Sequence, residues 1–146
     1  MNGFYTAIYK AEGVNTARTL MYLTAPSAVQ VELVSCVITA PLASLYFIDA
    51  SVQRITTLGT PTATAVTPTR VWAGDKNALS TVKGNVTAGE PTYDADGVLT
   101  AEYDLFPAGW RWEPGVTSYL QPAVSVGVRL LTKPGQKTDI RVVLRF

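Results

Sequence analysis

Apolar and polar positions alternate over most of this chain, and a period of two is the signature of β-strands. Phe4 to Glu12 reads Phe-Tyr-Thr-Ala-Ile-Tyr-Lys-Ala-Glu, rich in aromatic and branched residues, and predicts a first strand ending at Gly13. Arg18 to Thr24 predicts a second. Its Leu20, Tyr22 and Met21, Leu23 sets are apolar on both faces, as expected of a strand covered on two sides. After the turn Ala25-Pro26-Ser27, the alternation from Val29 to Ile38 predicts a strand whose polar face becomes apolar partway, passing from rim into core. Beyond Pro41, Ser44 to Thr57 sets Tyr46, Ile48, Ala50 and Val52 against Asp49, Ser51 and Gln53, the pattern of a half-buried strand.

Leu79 to Thr87 predicts another strand, and Gly89 to Gly97 reads as turn-rich. Val124 to Leu131 is strongly alternating. Lys133-Pro134-Gly135-Gln136 places Pro and Gly at the centre of a type II turn, so the chain is expected to return as a hairpin through Ile140, Val142, Leu144 and Phe146. That apolar face runs to Phe146 and predicts a C-terminal segment pinned in the sheet.

Two stretches break the pattern. Thr57 to Thr69 is almost free of charge and supplies no helical stripe, so it reads as a long loop or as an arm lying on a neighbouring subunit. Asp104 to Gly115 is the densest aromatic segment, with Trp110 and Trp112 on one face of an extended chain and Arg111 and Glu113 on the other. Pro107 and Pro114 punctuate it and place it at a sheet edge or rim.

No segment holds a helical period over ten residues. Eight to ten short strands with frequent turns predict an all-β, single-domain antiparallel β-sandwich or jelly roll. The 146 residues suffice for one core, and 16% charged against 47% apolar residues is far from the composition of disordered chains. A net charge of +1 gives no footprint for several phosphates, so nucleic acid is not an expected partner. Low charge over so much apolar sequence instead points to a protein-covered surface. The start lacks a signal-peptide pattern, and Ala28 to Ile48, broken by Gln30, Glu32 and Pro41, does not make a membrane span.

With no histidine, neither the usual zinc sites nor Ser-His and Cys-His nucleophile arrangements are available, and no cofactor or metal is expected. The lone Cys36 excludes an intramolecular disulfide and reads as a buried thiol. Asp94, Asp96, Glu102 and Asp104 cluster in sequence. Asp94 and Asp96 before Gly97 fit Asx-type turn chemistry, with a calcium loop or a glycosidase carboxylate pair as the chemical alternatives. Trp110, Trp112 and Trp72 are open to three roles: capping the core, anchoring a protein interface, or stacking on a sugar.

The aromatic start at Phe4 and Tyr5, the run Tyr22-Leu23-Thr24-Ala25-Pro26-Ser27 with the alternation that follows it, the Pro68 and Trp72 to Asp75 region, and Gly109-Trp110-x-Trp112-x-Pro114 resemble small β-rich virion proteins of tailed bacteriophages and prophages. The resemblance implies a virion structural role, brings no catalytic residues, and is taken furthest as a capsid decoration (cement) protein. Such a protein would sit on the outer head shell as an oligomer, a trimer being favoured. Its partner would be the major capsid protein or another virion protein, after synthesis in the host cytoplasm. On that reading the contact residues are Trp110, Arg111 and Trp112 at the rim, Trp72 and Arg70, and Pro61 and Val66 on the arm. The alternative is a carbohydrate- or host-binding module of a tail or head fibre.

Overall fold

The computed structural model describes residues 3–40, 49–99, 109–113 and 118–146. Within them every regular element is a strand. In the first half these are β1 (Tyr5–Val14), β2 (Thr19–Thr24), β3 (Val31–Leu33), β4 (Ser35–Thr39), β5 (Ala50–Thr57), β6 (Thr62–Val66) and β7 (Thr69–Arg70). The second half adds β8 (Thr81–Ala88), β9 (Thr92–Val98), β10 (Gly109–Trp112), β11 (Ser118–Leu120), β12 (Ser125–Leu130) and β13 (Thr138–Arg145). One antiparallel sheet has five strands in the order β10-β4-β13-β1-β7, a second has six in the order β6-β8-β2-β12-β5-β9, and β11 and β3 form a separate pair. Met21, Leu23, Val52, Val126 and Val128 of the larger sheet share one core with Ala7, Cys36, Ile38, Ile140, Val142 and Leu144 of the smaller. The architecture is therefore the expected all-β sandwich.

Individual strands follow their patterns. β2 is buried on both faces, because Met21 and Leu23 enter the shared core while Tyr22 packs with Ile55 and Val86 on the other side of the sheet. On β13, Ile140, Val142 and Leu144 are buried and Arg141 and Arg145 exposed. Phe146 is held against Tyr5 by reciprocal backbone hydrogen bonds of 2.8 and 3.1 Å, which pins the end of the chain as anticipated.

Several expectations need correction. The stretch 57–69 is not a loop or free arm: Thr62–Val66 is an edge strand paired to β8, Thr69–Arg70 pairs with β1, and residues 58–61 connect β5 to β6. The hairpin expected around Pro134-Gly135 does not form. β12 pairs with β2 and β5, whereas β13 pairs with β1 and β4, so the turn carries the chain from one sheet to the other. Strand 29–38 is two strands, β3 in the small pair and β4 in the five-stranded sheet, which is how it passes from rim to core. β1 runs past Gly13, whose φ of 59° makes a bulge before Val14 pairs with Thr138.

On β5 the polar face is not solvent-facing, since Ser51 and Gln53 are both buried. The turn-rich stretch 89–97 is mostly strand β9. Gln53 pairs with Val98 and Ile55 with Tyr93, so Asp94 to Gly97 bulge out opposite the single residue Arg54. These extra short strands raise the count to thirteen among the described residues, above the eight to ten expected. Tyr46, Ile48, Glu102, Asp104, Pro107, Pro114 and Gly115 lie outside the described residues.

Candidate interaction surface

The three tryptophans divide by position. Trp110 and Trp112 lie on β10, the outermost strand of the five-stranded sheet, opposite Ile38 and Cys36 of β4. Trp112 is half-buried against the shared core, so it caps the sandwich. Arg111 is exposed and forms an ion pair with Glu113, as expected of the charged side of this segment. Trp72 is different: it is 67% exposed, although the backbone around it is firmly held.

That hold begins at β7, where Arg70 pairs with Tyr5 of β1, and continues with Val71 N–H donating to Phe4 O at 2.9 Å. The chain then turns, Asp75 N–H donating to Trp72 O at 3.1 Å. Arg70 Nη1 donates to Asp75 O at 2.8 Å, and Tyr5 OH donates to Lys76 O at 2.8 Å. These bonds tie the loop between β7 and β8 to β1 and to itself, and Val71, Trp72 and Leu79 are left exposed, the last of them 76%.

Next to this loop is a groove of about 470 Å³ lined by Phe4, Tyr5, Val29, Val31, Leu79 and Phe146, with Glu32 and Lys76 among its polar residues. The Tyr5 and Phe146 rings pack at 5.7 Å between centroids within it. An exposed tryptophan on a loop whose Lys76, Leu79 and Ser80 line an apolar groove makes this surface the candidate for a protein or ligand contact. Burying Trp72 on a partner is worth on the order of 2 kcal/mol or more.

The proposed contact residues do not converge. Arg70 and Trp72 belong to the β7 edge, while Trp110, Arg111 and Trp112 belong to the opposite edge of the same sheet. Val66 on β6 packs partly against the core, and Pro61 is half-buried in the connection before that strand. Leu79, Val29 and the groove escaped the sequence reading, because an exposed Leu or Val inside an alternating run looks the same as a buried one.

A second feature the sequence did not announce is a polar network on the outer face of the six-stranded sheet. Tyr93 reaches from β9 across Gly127 of β12, whose missing side chain leaves room for the ring, and its OH meets Thr19 Oγ1 of β2 at 2.6 Å. Glu90 accepts hydrogen bonds from Thr19 N–H and Oγ1 at 2.9 and 2.6 Å. Arg129 stacks over the Tyr93 ring at 4.1 Å and donates to Gln53 Oε1 at 3.1 Å. Burial pushes the Tyr93 hydroxyl up to about 12, with the Glu90 charge adding to the rise while the Thr19 hydrogen bond and Arg129 oppose it. A hydroxyl so reluctant to ionise serves as a strut between strands and not as a base.

The carboxylates also have local tasks. Asp94 takes Arg54 at 2.6 Å and the N–H of Asp96 at 3.0 Å, which is the anticipated Asx-type turn, placed inside the β9 bulge. These bonds, the Arg54 one foremost, hold its carboxyl below the usual range. Among the described residues no three acidic, cysteine or histidine side chains come together as a metal cluster. Cys36 is fully buried, and burial raises its thiol far above its ordinary value, leaving it inert. No protein-family model, no curated protein and no solved structure matches this chain.

Proposed function

We propose that this protein is a bacteriophage virion structural protein, a capsid decoration protein that binds the outer head shell as an oligomer and stabilises it. The observation that carries the reading is the Val71–Trp72–Leu79 surface, large apolar side chains displayed by a hydrogen-bonded loop beside an apolar groove. A stable all-β body that presents such a surface suits attachment to another protein. An oligomer repeats it, so several weak contacts sum to tight binding on a symmetric shell. The resemblance in sequence pattern to phage virion proteins supplies the partner, the major capsid protein. The test is the composition and endurance of particles. Virions should contain the protein on their heads, and particles lacking it should lose their genome at lower temperature; absence from virions or unchanged endurance rejects the proposal.

A second reading is a carbohydrate- or host-binding module of a fibre, favoured by the exposure of Trp72, whose ring is open for stacking on a sugar. Glycan arrays separate the two. Saturable sugar binding abolished by Trp72→Ala supports the fibre module, and none is expected of a decoration protein.

A further inference from the structure

The outer face of the five-stranded sheet carries a pattern independent of the Trp72 surface. Cross-strand register places Ile8 of β1, Val143 of β13, Val37 of β4 and Arg111 of β10 in one row. Ile8 is 47% exposed, and Val37 and Val143 are only partly buried. Successive rows on either side hold Lys10 with Arg141, and Arg145 opposite Thr6. An aliphatic stripe therefore runs across the strands between cations. A shallow depression lined by Ile8, Lys10, Thr39, Ala40, Asp139 and Arg141 opens on the same face.

Charges on this face are unequally satisfied. Lys10 sits 3.6 Å from Asp139, which also accepts the N–H of Gly13 at 2.8 Å, and Arg111 pairs with Glu113. Glu12 is the remaining carboxylate on this face of β1. Among the described residues, Arg141 and Arg145 have no carboxylate within salt-bridge distance. They flank Val143, each two positions from it on one strand, so their Cα atoms stand about 13 Å apart, the span of every fourth residue of an extended chain.

We propose that this face docks an acidic, extended segment of a partner protein. Carboxylates four residues apart in that segment engage Arg141 and Arg145, and the apolar side chain midway between them, on the same face of the extended chain, lies on the Ile8–Val143–Val37 stripe. Guanidinium groups favour carboxylates through paired hydrogen bonds, and the stripe supplies the apolar contact that a bare polyanion lacks. Two arginines fall short of the six or more phosphate contacts typical of nucleic-acid binding, and the stripe would be left uncovered by phosphate.

The test uses the intact protein and a synthetic peptide repeating glutamate-serine-leucine-serine, which puts glutamate and leucine by turns on one face of an extended chain, followed by calorimetry and amide chemical shifts. Binding should map to β1, β4 and β13, weaken as salt rises, and fall at least tenfold in Arg141→Glu/Arg145→Glu. It should fall several-fold in Ile8→Thr, with melting temperatures unchanged in all variants. Polyglutamate should bind several-fold more weakly than the mixed peptide. The proposal is overturned if the peptide shows no binding up to millimolar concentration, or if charge reversal leaves affinity intact. Equal binding of a DNA duplex or of anionic phosphatidylserine vesicles also overturns it, since a bare anionic surface would then suffice. Because Ile8, Arg141 and Arg145 belong neither to the Trp72 loop nor to the lining of its groove, failure of this test would leave the decoration reading standing, and the reverse holds.

Discussion

The two outward faces of the sandwich are built from the same kind of strand but finished in opposite ways. On the six-stranded sheet, Tyr93, Thr19, Glu90, Gln53 and Arg129 are joined in one network, while the Ser51 hydroxyl on the same face is buried without a hydrogen-bond partner among the described residues. On the five-stranded sheet, Ile8, Arg141 and Arg145 face solvent, and among the described residues the two arginines have no carboxylate within salt-bridge distance. Polar residues on the first face hold strands together, whereas apolar residues on the second contribute little to the fold. Buried polar groups are stabilising only when fully paired, and exposed apolar groups are informative only when they are organised.

Substitutions should separate the faces by size of effect. The largest is expected at Gly127, where an added methyl runs into the Tyr93 ring. Gly127→Ala should cost roughly 1–3 kcal/mol in urea unfolding. Tyr93→Ala in the same chain removes the obstacle, so the double variant should lose less than the sum of the two singles. Additive losses would show that the ring does not rest on Gly127. Next comes Thr19→Val, which removes the hydroxyl shared by Glu90 and Tyr93 and should cost about 1–2 kcal/mol, measured the same way. On the open face, Ile8→Thr and Arg141→Glu should change stability by less than about 0.5 kcal/mol; a larger loss would mean that this face is structural after all.

The smallest effect is one of pH. The N–H of Gly13, with Lys10 and Lys137 nearby, holds the Asp139 carboxyl below the usual carboxylate range. A lowered folded value means that the unfolded chain takes up the proton first, so this contribution is complete above about pH 4 and fades as pH falls through the lowered value. Asp139→Asn should therefore lower the melting temperature slightly at pH 7, make its fall below about pH 4 less steep, and bring the two proteins together at the acid end.

Much of this architecture was legible because period-two alternation reports burial directly, as on β13, and two-sided apolarity reports a covered strand, as on β2. Alternation does not report the partner. β12 and β13 each carry the right pattern for a hairpin, and Pro134-Gly135 offers a suitable turn, yet the two strands belong to different sheets. β6 was hidden for another reason: an edge strand of Thr, Ala and Val with no fully buried position has no core-facing stripe to display. β9 was masked by its own bulge, whose Asp94 to Gly97 sequence is that of a turn. For the candidate site, aromatic density drew attention to Trp110 and Trp112, whereas exposure singles out Trp72. Nothing local in the sequence distinguishes a tryptophan lying on a core from one held away from it, because that depends on which strand edge the segment joins.

The most direct test of the central claim is binding of the purified protein to capsid shells that lack it, comparing wild type with Trp72→Ala at matched melting temperature. Saturable binding by the wild type, weakened at least tenfold in the variant, is the predicted result. Equal binding by both proteins, or no binding by either, would contradict it.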